Sequence, residues 1–153
     1  CGRVLDAVSA LLRICYERSY EGEPAMKLES VATKGKDVLK LVPKIKDNVL
    51  DTSFMVHEIF SNKDKFSLAD LACSAQSYLG RSLGELAVAQ AEEHKVKDVG
   101  FSGGVAYNEY ITATIRKTVE NAGFRFLVHN KIPAGDGGTS FGQAVTVTLQ
   151  QNQ

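Results

Sequence analysis

The stretch Val96-Lys97-Asp98-Val99-Gly100-Phe101-Ser102-Gly103-Gly104, read on to Phe124-Arg125-Phe126-Leu127-Val128, decides the class of fold. A short apolar strand over 96–101 runs into a glycine turn, and a helix is expected from Asn108 to Asn121. Gly123 ends that helix, and a second strand occupies 124–128. Strand, turn, helix, strand is a βαβ unit, which calls for a parallel pair. The expected fold is therefore α/β.

Working outward, Ser67-Leu68-Ala69-Asp70 resembles a capping box with Asp at its third position. It should open the longest helix, through Leu71, Leu79 and Leu86 to about His94. Gly80 and Gly84 lie four apart on it and would let another backbone come close. Val4, Val8, Leu11, Leu12 and Cys15 recur at helical spacing, predicting a first helix over 4–18. Pro24 suits the first turn of a short helix ending near Gly35. Runs 38–42 and 49–53 are β-compatible, separated by Pro43 and a turn at Lys46-Asp47-Asn48. Asp51-Thr52-Ser53 can cap a helix through Phe54, Val56, Ile59 and Phe60. Beyond Pro133, Gly135-Asp136-Gly137-Gly138 leads into a last helix from Thr139 to about Leu149, and the end at 150–153 reads as loose and polar. Phe101, Phe124, Phe126 and Phe141 read as core aromatics.

The 153 residues suit one domain, and the opening Cys1-Gly2-Arg3 reads as the start of a piece of a longer polypeptide. Apolar residues at 44% and charged residues at 24% exclude wholesale disorder. Eighteen basic and eighteen acidic side chains leave a net charge of +0, without the electrostatic footprint of a nucleic-acid binder. No apolar run approaches the roughly 20 residues that cross a bilayer. Three scattered cysteines without a CxxC pair point to a reducing cytoplasm, and Cys15 and Cys73 fall on apolar stripes.

Three groups carry candidate chemistry. Ser102-Gly103-Gly104-Val105-Ala106-Tyr107-Asn108 sits where open α/β sheets bind ligands, with backbone N–H groups free to meet an anion. It fits neither GxGxxG nor a P-loop. Asn108 would cap the helix and could read a ribose or base edge; for the Gly-Gly alone, a tight strand-to-helix turn with an Asn cap is the simpler explanation. Asp136, among Gly135, Gly137 and Gly138, could ligate a hard cation or form an Asx turn. Asp6 could accept ribose hydroxyls near a helix start, or be an ordinary exposed first-turn carboxylate. His57, His94 and His129 have no i,i+4 partner and make no HxxxH face. Arg81 could face a phosphate but suits a solvated helix face, and Lys34, Lys36, Lys40, Lys44 and Lys46 read as a solvated edge.

Five blocks in this order, 1–12 (CGRVLDAVSALL), 20–29 (YEGEPAMKLE), 50–52 (LDT), 102–108 (SGGVAYN) and 132–144 (IPAGDGGTSFGQA), resemble the C-terminal part of the hydrogenase-maturation carbamoyltransferase family, HypF. The same region is similar, more distantly, to the tRNA threonylcarbamoyladenosine transferases. Both families imply the actin-like, sugar-kinase-like ATPase superfamily, in which two RNase H-like lobes flank a nucleotide cleft. Residues 1–153 would be the second lobe alone, since the HxxxH segment of the preceding lobe is not in this sequence.

The resemblance implies nucleotide-binding roles for Asp6 (ribose), Gly22 and Glu23 (the loop beside it), and Gly103, Gly104 and Asn108 (the adenosine side). It implies Asp136 as a ligand of a divalent metal, and names no catalytic residue. The implied chemistry joins carbamoyl phosphate and ATP into carbamoyl-adenylate, then passes the carbamoyl group to the C-terminal cysteine of a HypE-type partner for cyanide-ligand synthesis. The missing N-terminal lobe of the same enzyme is the other implied partner, and nucleic acid and membrane are not. Alone, the chain should bind nucleotide weakly, bind no metal tightly and transfer nothing. Two other readings stand beside this one: a tRNA threonylcarbamoyl transferase lobe, and a non-catalytic nucleotide-binding or docking module.

Overall fold

The first helix, α1 (Gly2–Leu11), buries Leu5 and Val8 and ends well before residue 18. Arg13 takes a left-handed backbone conformation (φ 58°), its N–H bonds Ala10 O, and the Ile14 N–H reaches back to Ser9 O. That pair of bonds is a Schellman motif, here built without the usual glycine. Cys15 is still buried, from an irregular segment. α2 (Glu23–Ala32) starts on the left-handed Gly22 with Pro24 in its first turn.

β1 (Ile45–Lys46) and β2 (Val49–Leu50) form a minimal antiparallel hairpin around Asp47-Asn48. The strand expected over 38–42 is absent. Its backbone is bound instead by side chains of the long helix α4 (Leu68–Glu93): Val38 and Leu39 N–H donate to Ser74 Oγ, and Lys44 N–H donates to Tyr78 Oη. Arg81 completes this strap through Asp37 (3.0 Å) and Leu41 O (3.0 Å), so a side chain expected on a solvated face is 34% exposed and engaged within the fold. An extended segment needs partners for its N–H groups, and a helix face can supply them as well as a strand. The five lysines between 34 and 46 are exposed, as expected.

α3 (Thr52–Ser61) is capped by Asp51, whose Oδ1 accepts from Phe54 N–H. α4 is capped by Ser67, whose Oγ accepts from Asp70 N–H (3.1 Å) and donates to Asp70 Oδ2 (2.7 Å). α4 is the axis of the molecule. Every residue from Leu71 to Gly80 is buried, because α2, α3, α5 (Glu109–Asn121) and α1 all pack on it. A helix enclosed on all sides loses its amphipathic stripe. The α4–α5 crossing runs over Gly80 and Gly84: a Cβ at either would stand 2.7 Å from Cβ of Thr114 or Thr118.

β3 (Asp98–Phe101) and β4 (Arg125–Val128) lie parallel, with Asp98 opposite Arg125 and Phe101 opposite Val128. The expected βαβ unit is present. Arg125 grips Asp98 with two bonds of 2.7 and 2.6 Å, and the guanidinium holds the Asp98 carboxyl below its usual range. α6 (Thr139–Gln150) closes the structure, a computed structural model that describes residues 1–150; the loose end expected at 150–153 lies, except for Gln150, outside the described residues. Among the aromatics expected in the core, Phe126 is buried while Phe141 is 52% exposed. α6 packs on little besides the turn before it, so its apolar residues have no core to enter. The architecture is mixed α/β, with one apolar cluster drawing on α1 through α5 and β4.

Candidate functional site

The carboxyl ends of β3 and β4 open into a shallow cavity of about 350 Å³ lined by Gly100, Phe101, Ser102, Leu127, Val128 and His129. From β3 the chain turns through Gly103, whose φ of 98° suits glycine, into a 3₁₀ turn at Gly104–Tyr107. That turn delivers Asn108 to the start of α5. Asn108 is buried: its Oδ1 accepts from Ile111 N–H (2.8 Å), and its Nδ2 donates to the buried Gln76 (3.0 Å). The expected cap is present, and the amide is already engaged within the protein. Gln76 was invisible in the sequence as a partner, being an α4 residue far away in the chain.

The backbone N–H groups at this edge divide into used and free. Gly103 N–H donates to Ala134 O (2.8 Å), and Glu109 N–H donates to the Glu29 carboxylate (2.8 Å). The N–H groups of Gly104 and Val105 have no hydrogen-bond partner among the described residues. Nothing lies within 4 Å of the position a Cβ would take on Gly104. Two unpaired donors at a strand's carboxyl end, with open space beside Gly104, can take an anionic or carbonyl oxygen.

The second glycine-rich loop is bound to the first. Ala134 O accepts from both Gly103 N–H and Ser102 Oγ (3.1 Å), and Gly135 N–H donates to Tyr107 Oη (3.2 Å). Gly103, Gly104 and Asp136 thus share one edge of the fold. Asp136 opens a 3₁₀ turn at Asp136–Gly138 and is exposed. No group of three His, Cys, Asp or Glu side chains suited to a metal exists among the described residues. Asp136 alone does not constitute a metal site, since divalent cations take several ligands at fixed geometry.

Asp6 is half-buried on α1. Gly2, one turn before it, faces Val105: a Cβ there would lie 3.9 Å from Val105 Cγ2. The start of α1 therefore stands beside the 3₁₀ turn. Gly22 and Glu23 lie about 9 Å along α2 from Glu29, the residue that reaches α5. The Glu23 carboxylate is buried and committed to Lys27 (2.7 Å) and to the N–H and hydroxyl of Ser19 (2.5 and 2.9 Å). Its bonds to Lys27 and then Ser19 hold its pKa at about 2. His57, His94 and His129 are all exposed. A larger apolar groove, about 520 Å³ between α1 and α3, is lined by His57 but by none of the residues the resemblance assigns to nucleotide or metal.

Comparison with known proteins gives the chain its relatives. A family model described as carbamoyltransferase, Kae1-like domain, second subdomain, matches residues 1–143. The chain is 40% identical over 153 residues to the probable carbamoyltransferase HypF of Methanocaldococcus jannaschii, covering 97% of this chain and 20% of that protein. It is 26% identical over 137 residues to the tRNA N6-adenosine threonylcarbamoyltransferase of Dictyoglomus turgidum, covering 83% and 39%. The crystal structure of T. kodakarensis HypF superposes with a TM-score of 0.89 at 46% identity, and full-length HypF in its phosphate- and nucleotide-bound form with 0.85 at 26%. Each superposition covers 99% of this chain and 20% of the other. The chain spans about a fifth of the length of the HypF relatives it matches. The mixed α/β architecture agrees with the actin-like ATPase type of fold. Matched along nearly its whole length by that model, the chain belongs to the HypF carbamoyltransferase family, in the second subdomain of its Kae1-like domain.

Proposed function

We propose that this chain is the nucleotide-binding second lobe of a hydrogenase-maturation carbamoyltransferase. The observation that carries the reading is the pair of unpartnered N–H groups at Gly104 and Val105, with open space over Gly104. The nucleotide- and phosphate-bound form of a relative of the same fold supports it. In this reading Asp6 receives the ribose, Gly103 and Gly104 let the adenosine side approach the backbone, and Asn108 fixes the turn that presents them. Glu23, held by Lys27 and Ser19, shapes the loop at Gly22 rather than reaching the ligand. Asp136 supplies one ligand to a divalent metal whose other ligands come from the preceding lobe.

The whole protein would form carbamoyl-adenylate from carbamoyl phosphate, water and ATP, releasing phosphate from the first and pyrophosphate from the last. It would then transfer the carbamoyl group to the C-terminal cysteine thiolate of a HypE-type partner, releasing AMP. A cleft closed between two lobes would keep water from the mixed anhydride. The described residues show no helix long and apolar enough to cross a membrane; a cytoplasmic setting is proposed on separate grounds, because the partner's cysteine has to stay a reduced thiol. The relative acting on tRNA keeps a threonylcarbamoyl transferase reading open, against which the balanced charge of this chain weighs.

The test is carbamoyl transfer by the full-length protein to a partner ending in cysteine, followed by mass. A gain of one carbamoyl group is expected, and Asp136→Asn should abolish or strongly reduce it. Modification of tRNA instead would refute the hydrogenase-maturation reading.

A further inference from the structure

The loop from His129 to Gly138 connects β4 to α6, and α6 buries none of its residues. Something other than core packing must therefore hold the loop in place. The bonds that do so come from the Ser102–Tyr107 segment, and two of them use side chains, the Tyr107 and Ser102 hydroxyls. Ser102 Oγ donates to Ala134 O (3.1 Å), and His129 Nε2 stands 3.0 Å from the same Oγ. A carbonyl only accepts, so the single hydroxyl proton of Ser102 is spent on Ala134, and His129 must donate to Ser102. Ala134 O then receives two donors, Ser102 Oγ and Gly103 N–H, and has no lone pair left.

We propose that Ser102, oriented by His129, is a positioning residue that fixes the Asp136 loop in register with the Gly103-Gly104 turn, so that the two glycine-rich turns move as one. Neither side chain was singled out by charge or spacing. Ser102 follows β3 and His129 follows β4, so the parallel pairing brings them together across 27 positions. The functional consequence rests on the nucleotide reading above; the ordering of the loop does not.

Hydrogen exchange in the full-length protein tests it, in peptides spanning 132–138, 100–107 and, as a control, 71–84. Ser102→Ala and His129→Ala should speed exchange in 132–138 about three- to tenfold, the loss of one ordinary hydrogen bond. Ser102→Thr, which keeps the hydroxyl, and His129→Gln, which keeps a donor, should stay within about twofold. The α4 control should not change, which separates positioning from general loosening. Adding a non-hydrolysable ATP analogue should protect both loops in the wild type but only 100–107 in Ser102→Ala. Unchanged exchange at 132–138 in Ser102→Ala, or equal acceleration in α4, would overturn the proposal. Absence of protection at 100–107 in the wild type would instead refute the nucleotide reading, while the effect of Ser102→Ala without nucleotide would still decide the positioning claim.

Discussion

Asn108 joins the start of α5 to the buried face of α4, because one amide serves both Ile111 N–H and Gln76. Asn108→Ala removes a cap worth about 1 kcal/mol and leaves Gln76 Oε1 buried without its donor, at about 1–3 kcal/mol. A loss of about 2–4 kcal/mol in urea-unfolding stability is expected. The cap was legible, since Asn before an apolar-periodic run has a local meaning. Gln76 was not, because nothing near it in sequence marks an interior glutamine as a partner. Glu23 makes a prediction about pH. Its carboxyl sits at about 2, against an ordinary 4.5, chiefly through Lys27 and then Ser19. A depressed pKa stabilises the fold above the unfolded value, and that contribution disappears as pH falls from about 4.5 to 2. Asp70, lowered by Ser67 and by Lys36 N–H, and Asp98, lowered by Arg125, act in the same direction. Stability measured across that range should fall less steeply in Glu23→Gln than in the wild type.

At the scale of elements, the α4–α5 contact inverts a common expectation. Replacing an interior helical glycine by alanine ordinarily gains up to about 1 kcal/mol. Here a Cβ on Gly80 or Gly84 would enter Thr114 or Thr118 at 2.7 Å, so Gly84→Ala should instead cost about 1–3 kcal/mol by thermal unfolding. Gly84→Ala paired with Thr118→Ser, which removes the Thr118 methyl that the new Cβ would meet at 3.0 Å, should recover part of the loss. The glycine spacing, the three capped helices and the βαβ unit were legible because their signals are local. The strap over 36–44 was not: extended, half-apolar sequence looks the same whether a strand or the side chains of Ser74 and Tyr78 receive it. Arg13 ended α1 without the glycine that normally announces such a stop. Phe141 misled for a third reason, because an apolar helix pattern reports that a face will be covered but not by which part of a protein.

For the whole molecule, the two glycine-rich turns were legible as candidate sites, and the structure joins them through Ala134 and Tyr107. What the residues alone left open was which donors remain free after the fold has taken its share. Asn108 and Glu29 occupy the start of α5, which leaves the donors one turn earlier, at Gly104 and Val105. Occupancy of the space over Gly104 by a nucleotide is the proposal on which the others depend. Its most direct test is a calorimetric titration of a non-hydrolysable ATP analogue into the full-length protein, wild type against Gly104→Ala. The added methyl meets nothing within 4 Å, so melting should be unchanged. Nucleotide affinity should fall about tenfold or more, about 1.4 kcal/mol, because the methyl occupies the space the ligand needs. Equal affinity in the two proteins, with the fold intact, would contradict the claim.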